Sequence, residues 1–226
     1  MLNIWNNLDW SILTDALMSA VPVLICITLH ECAHGLAALK LGDTTARDMG
    51  RLSLNPIKHF DLMGFIMMAF LGFGWAKPVP IDMRRFQNPK RDMAISAAAG
   101  PLCNLAITVV CLFLYGALTP LLSGRGSAAA LVYGTVVRTA YLSLAFAVFN
   151  FIPIPPLDGS KVLFSVISEQ AYEKLMHYER YGMLLLVVLV VTGVLSGPLN
   201  TAVTFLFDKL WIVAQWGLDL ISFFFR

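Results

Sequence analysis

From about Ser11 to Leu39 the chain is apolar and long enough to cross a bilayer as a helix, interrupted only by Pro22, yet it carries His30, Glu31 and His34. A bilayer core takes about 20 apolar residues in helical form and tolerates ionisable groups poorly. Any fold of this segment must therefore give those three side chains partners. On a helix, residues four apart share a face, so the imidazoles of His30 and His34 lie one turn apart and can hold a single metal ion, with Glu31 beside them as a general base. If the cytosolic end lies near Lys40, His30 is roughly 15 Å below the surface at about 1.5 Å per residue.

The remaining residues agree on the solvent. The chain is 58% hydrophobic and 13% charged, with a mean hydropathy of +0.73, whereas an average soluble chain is about 25% charged. An α-helical integral membrane protein follows, a bundle of about five transmembrane helices, and 226 residues leave little for a separate soluble domain. Residues 1–226 are thus expected to form one domain. A net charge of +2 gives no argument for nucleic acid. Cys26, Cys32, Cys103 and Cys111 all fall in apolar stretches without a close pair spacing and read as small buried hydrophobes. No Lys or Arg precedes Lys40, so the basic start of a secretory signal is missing and the first segment is expected to be retained.

Met1 to Asp9 is a short polar lead in which Trp5, with Trp10 just beyond, suits an interface anchor. Residues 40–92 change character: turn signals at Gly42-Asp43, Asn55-Pro56 and Asn88-Pro89 separate short apolar pieces, and nine of the sixteen basic residues fall here. The positive-inside rule places this stretch in the cytoplasm and the N-terminus outside. Leu62 to Phe73 is too short to span and suits a re-entrant piece, and the proline-rich run from Gly72 to Ile81 suits an extended edge, giving a short β/re-entrant segment between the first two spans. The second span is expected over about Met93 to Leu118. The third is expected to begin near Arg138 and to stop at Ile152, because Pro153, Pro155 and Pro156 cannot continue a helix. At about 22 Å it would need an extended tail to complete the crossing. A helix restarts at Gly159, a polar segment to Arg180 lies in the cytoplasm, Tyr181 to Leu195 is the fourth span and Leu199 to Phe225 the fifth, although Asp208, Lys209 and Asp219 lie within the last.

Two histidines make half of a tetrahedral site, and a catalytic centre wants a third protein ligand with one position open. His59 and His177 fall in segments read as cytoplasmic, where a lone histidine is usually a solvated surface residue. Asp158 follows the proline-broken span at membrane depth, where an unpaired carboxylate is costly, and is the candidate third ligand. Hydrogen-bonded core histidines or an ion pathway are the bland reading of the pair, and Glu31 between them argues for the His-Glu-x-x-His pattern of zinc peptidases instead. Asn150 stands just before the break, placed to donate a hydrogen bond near the metal. Asn104 either bridges helices or belongs to the site, and Gly100-Pro101 reads as a kink that lets helices approach.

In its ordered segments, His30-Glu31-Cys-Ala-His34-Gly35, Gly100-Pro-Leu-Cys-Asn104 and Asn150-Phe-Ile-Pro-Ile-Pro-Pro-Leu-Asp158-Gly159, the chain resembles the site-2 protease family of intramembrane zinc metalloproteases in its small prokaryotic form. Gly50 to Pro56 and Gly74 to Pro80 extend the resemblance, which covers roughly residues 21–165. It implies one Zn2+ per chain held by His30, His34 and Asp158, with Glu31 as the base and Asn150 steadying the oxyanion. It also implies cleavage of peptide bonds within or near the membrane segments of a substrate, expected to be single-span, in the cell membrane, with the site opening toward the cytoplasm. The resemblance implies in many members a further span ahead of the His-Glu segment, for which the residues before Ser11 are expected to leave no room. The competing classes are a metal-ion transporter and a catalytically inactive scaffold. A base beside the ligands favours hydrolysis over both.

Overall fold

Runs of apolar residues longer than a bilayer core become the long helices of the protein, and the polar, glycine- and proline-rich stretch between the first two becomes a set of short turns. In the computed structural model, which describes residues 10–71, 74–168 and 181–224, the helices in chain order are α1 (Trp10–Lys40), α2 (Thr45–Asp48), α3 (Leu62–Leu71), α4 (Pro89–Leu122), α5 (Ser127–Asn150) and α6 (Asp158–Phe164). They are followed by α7 (Tyr181–Val191), α8 (Ser196–Leu210) and α9 (Ile212–Phe224). Single 3-10 turns form at Pro56–His59 and Met83–Arg85. No strand occurs among the described residues.

Among the described residues, three helices are long and apolar enough to cross a membrane: Met18–Lys40 of α1, α4 and α5. The separate fourth and fifth spans expected from the sequence fall in α7 and α8–α9, which pass the same test only as a pair bent by 81°. Crossings by length and composition among the described residues are therefore three, or four if the bent pair is one span. The expected start of the third span is corrected. α5 begins at Ser127, and its 24 residues reach about 36 Å, so no extended tail is needed to finish the crossing. Arg138 does not end the helix because its guanidinium donates to Ser19 Oγ on α1 at 3.1 Å. The break at the other end is as expected: the proline run after Asn150 stops α5, and α6 restarts at Asp158.

α4 is the central post. It packs on α1, α5, α6 and α9, and its contact with α9 is backbone to backbone. A Cβ on Gly116 would lie 1.7 Å from the carbonyl oxygen of Ala214, and one on Gly217 2.2 Å from that of Phe113. Leu112, Ala140, Val213 and Ala214 fill the core where α4, α5 and α9 meet. Within this apolar packing, hydroxyls bond across helices: Ser143 donates to the carbonyl of Asn104 at 2.8 Å and Thr108 to that of Ala140 at 3.1 Å. Bonds of this kind in membrane helices contribute about 0.6 kcal/mol on average, so their weight here lies in fixing the rotation of α4 as much as in stability.

The β-like segment expected between the first two spans does not form: residues 74–82 are irregular backbone without a ladder. Around Arg47 to Leu54 the chain forms α2 and a turn, because buried Asp43 accepts from the amide and hydroxyl of Thr45 and starts the helix. Its second oxygen accepts from Asp82 N–H at 2.8 Å and so joins both ends of the segment. Within the run from Gly74 to Ile81, side chains and a loop carbonyl take the backbone groups that a sheet would have paired. Lys77 N–H donates to His59 carbonyl at 2.9 Å, and Arg51 Nη2 donates to the carbonyls of Lys77 and Pro78 at 2.9 and 3.1 Å. His59 is not a solvated surface histidine: it is 2% exposed, with Nε2 2.7 Å from the Ser53 carbonyl. The lead with Trp5, Gly72-Phe73 and the polar stretch 169–180 with His177 lie outside the described residues.

Candidate metal centre

The helical geometry of α1 puts His30 and His34 one above the other on the face turned to α4, with ring centroids 4.5 Å apart and planes nearly perpendicular. Their Nε2 atoms stand 3.0 Å from each other. Asp158, brought to the same point as the first residue of α6, has Oδ2 at 3.2 Å from both. All three residues are buried. Two nitrogens and an oxygen 3.0–3.2 Å apart form a triangle close to that spanned by one tetrahedral ion, whose ligands at about 2.0–2.2 Å stand about 3.3 Å from one another. The tautomer of His34 agrees. Its Nδ1 lies 2.7 Å from the Ser96 carbonyl, which can only accept, so Nδ1 carries the proton and Nε2 presents a lone pair to the triangle. The donor set fits zinc.

α4 backs this cluster with residues spaced by four. Ser96, Gly100 and Asn104 lie on one face, each a turn from the next, matching the one-turn spacing of the histidines. Besides its carbonyl contact, Ser96 donates its hydroxyl to His34 carbonyl at 3.1 Å. Gly100 faces the rings, and a Cβ there would lie 2.4 Å from His34 Nε2 and 2.6 Å from His30 Cε1. Asn104, 1% exposed, has its amide nitrogen 3.2 Å from His30 Nδ1. The sequence reading of Gly100 as a helix-approach kink is thus sharpened: what approaches is the pair of imidazoles.

Glu31 is buried and points away from the triangle's α4 side toward the extended run. Its Oε2 accepts from Val79 N–H at 2.7 Å. Pro78 and Pro80 have no N–H, so Val79 supplies the one amide donor in Pro78-Val79-Pro80, a signal legible in the sequence but missed. Cys32, next along α1, donates to Ser53 carbonyl at 3.1 Å, and His59 packs beside it. Lys161 Nζ is 3.8 Å from the other oxygen of Asp158. Asn150 is not drawn into the cluster: its amide donates to Phe146 carbonyl on its own helix at 3.0 Å.

An apolar helical bundle with a buried two-histidine, one-aspartate ligand set and an adjoining glutamate defines a membrane protein with a candidate metal centre. Residues 119–195 match Peptidase family M50, a stretch that contains Asn150 and Asp158. "Putative zinc metalloprotease YwhC" of Bacillus subtilis (strain 168) is 34% identical over 206 residues, 89% of this chain and 87% of that protein. "Putative zinc metalloprotease Rip2" of Mycolicibacterium smegmatis is 27% identical over 190 residues, 82% of this chain and 71% of its own length. "Putative zinc metalloprotease MJ0611" of Methanocaldococcus jannaschii is 31% identical over 148 residues, 65% and 69% of the two chains. No solved structure matches the chain. The chain belongs to peptidase family M50, the site-2 protease family.

Proposed function

We propose that this chain is a single-domain intramembrane zinc endopeptidase that hydrolyses peptide bonds within or near the transmembrane segments of membrane-protein substrates. The observation that carries this reading is the convergence of His30 Nε2, His34 Nε2 and Asp158 Oδ2 on one buried point beside a helix apolar and long enough to cross a membrane, with Glu31 adjoining on the same helical turn. His30, His34 and Asp158 hold the ion. When bound, zinc supplies a Lewis acid that polarises a carbonyl and makes water acidic enough to react near neutral pH. Glu31 receives the proton of the attacking water on its carboxylate and delivers it to the leaving amine. The Val79 N–H bond keeps that carboxylate oriented. Asn150 donates to the substrate carbonyl oxygen as it gains charge, which requires its amide to turn from the Phe146 carbonyl.

A transmembrane helix hides its peptide bonds, so the substrate must unwind locally, and its freed backbone needs partners where water is scarce. The irregular run from Gly74 to Ile81 lies against Glu31 through Val79. Strand addition along Lys77 to Val79 must displace Arg51 or Glu31 first, since these already hold the backbone groups there. The basic segment 40–92 on the cytoplasmic side of the cell membrane, with the site opening toward it, completes the reading.

The test is Glu31→Gln in proteoliposomes with a single-span substrate. Wild type cleaves, and the variant retains zinc while cleavage falls by about 10²-fold or more. Cleavage by the variant at the wild-type rate, or zinc flux through wild-type vesicles without proteolysis, overturns the proposal.

A further inference from the structure

Asn104 is left without a role by the chemistry above, yet it is 1% exposed and touches a proposed ligand. Its Nδ2 stands 3.2 Å from His30 Nδ1, while its Oδ1 is buried without a hydrogen-bond partner among the described residues. An amide that donates to Nδ1 needs a lone pair there, which puts the imidazole proton on Nε2. Nε2 is the atom that faces His34 and Asp158, and a protonated nitrogen cannot bind a metal. His34 shows the opposite arrangement, with Nδ1–H on a carbonyl and Nε2 open. The two histidines cannot both ligate unless Asn104 presents its oxygen to His30.

A half-turn about the last side-chain bond exchanges oxygen and nitrogen in the same space. It leaves an N–H where the orphaned oxygen stood, so the number of unmet groups is unchanged. What changes is the imidazole: Nδ1–H then has an acceptor and Nε2 a lone pair. We infer that Asn104 is a positioning residue of the metal centre, whose Oδ1 accepts from His30 Nδ1–H and sets the tautomer in which His30 binds the ion. It does for His30 what the Ser96 carbonyl does for His34, from the same face of α4 two turns along. Its backbone carbonyl accepts from the hydroxyl of Ser143, which holds this turn of α4 against α5 and fixes where the amide stands.

The inference rests on the zinc reading proposed above. Zinc affinity, measured by chelator competition on the purified full chain in detergent, separates the two. In the Asn104→Leu variant, where the acceptor is lost, affinity falls by about 10–100-fold, the range for loss of a partner that orients a ligating histidine. In the Asn104→Asp variant, which keeps an acceptor and cannot donate as a carboxylate, affinity stays within about threefold of wild type or rises. A leucine variant within about threefold of wild type overturns the inference, and so does an aspartate variant that binds at least tenfold more weakly, whether or not the leucine variant folds. A wild-type chain that binds no zinc overturns the underlying reading and this inference with it.

Discussion

At the level of single residues, the centre is held together by what its neighbours lack as much as by what they offer. Gly100 is the clearest case, since the two imidazoles fill the space a side chain would take. In a helix interior, Gly→Ala ordinarily stabilises by about 1 kcal/mol. Here the Gly100→Ala variant is expected to lose zinc affinity by at least tenfold in chelator competition, because the rings must leave the triangle. An unchanged affinity would reduce Gly100 to a packing position. The three residues of the candidate centre were legible in the sequence because their signal is local or costly: four-residue spacing for His30 and His34, and a carboxylate in an apolar setting for Asp158. Asn104 and Gly100 carried only a weak trace, their common spacing with Ser96, since which face of α4 meets α1 is decided by packing. Asn150 was placed by its sequence position before the proline break, which says where the backbone goes and not where the amide turns.

Among elements, the extended run beside Glu31 departs furthest from its sequence expectation. Prolines forbade a central strand and allowed an edge. No strand forms there; Arg51, His59 and Glu31 take the backbone groups that partner strands would have paired. Those partners come from residues distant in the chain, so no local pattern announced them. A bond to a charged group is worth about 1.5–3 kcal/mol, or about 10–100-fold in rate if it orients the base. Val79→Pro, which removes the N–H, is expected to lower cleavage by that factor with zinc content unchanged, and Val79→Ala, which keeps it, to cleave at close to the wild-type rate. Equal loss in both would point to the side chain. α5 departs in the other direction: a charge at Arg138 suggested a helix start, but a hydroxyl on α1 receives it and the helix runs through.

For the molecule as a whole, composition settled the solvent and the helical class, while the number of crossings depends on how α7 meets α8, a bend that hydropathy does not encode. Orientation is open to a direct measurement. With Cys26, Cys32, Cys103 and Cys111 replaced by alanine, Arg125→Cys in the turn between α4 and α5 is expected to react with a membrane-impermeant maleimide in intact cells. Arg84→Cys, on the other side of α4, is expected to react only after permeabilisation. The reverse pattern would invert the proposed topology. The bond between Glu31 and Val79 has one more consequence. The proposed ligands and the groups that would orient them sit on α1, α4 and α6, whereas the backbone covering the glutamate belongs to none of these helices. Under the proposed function, retention of the ion and admission of a peptide need not share a moving part, so the entrance could open at each turnover while the cofactor stays in place.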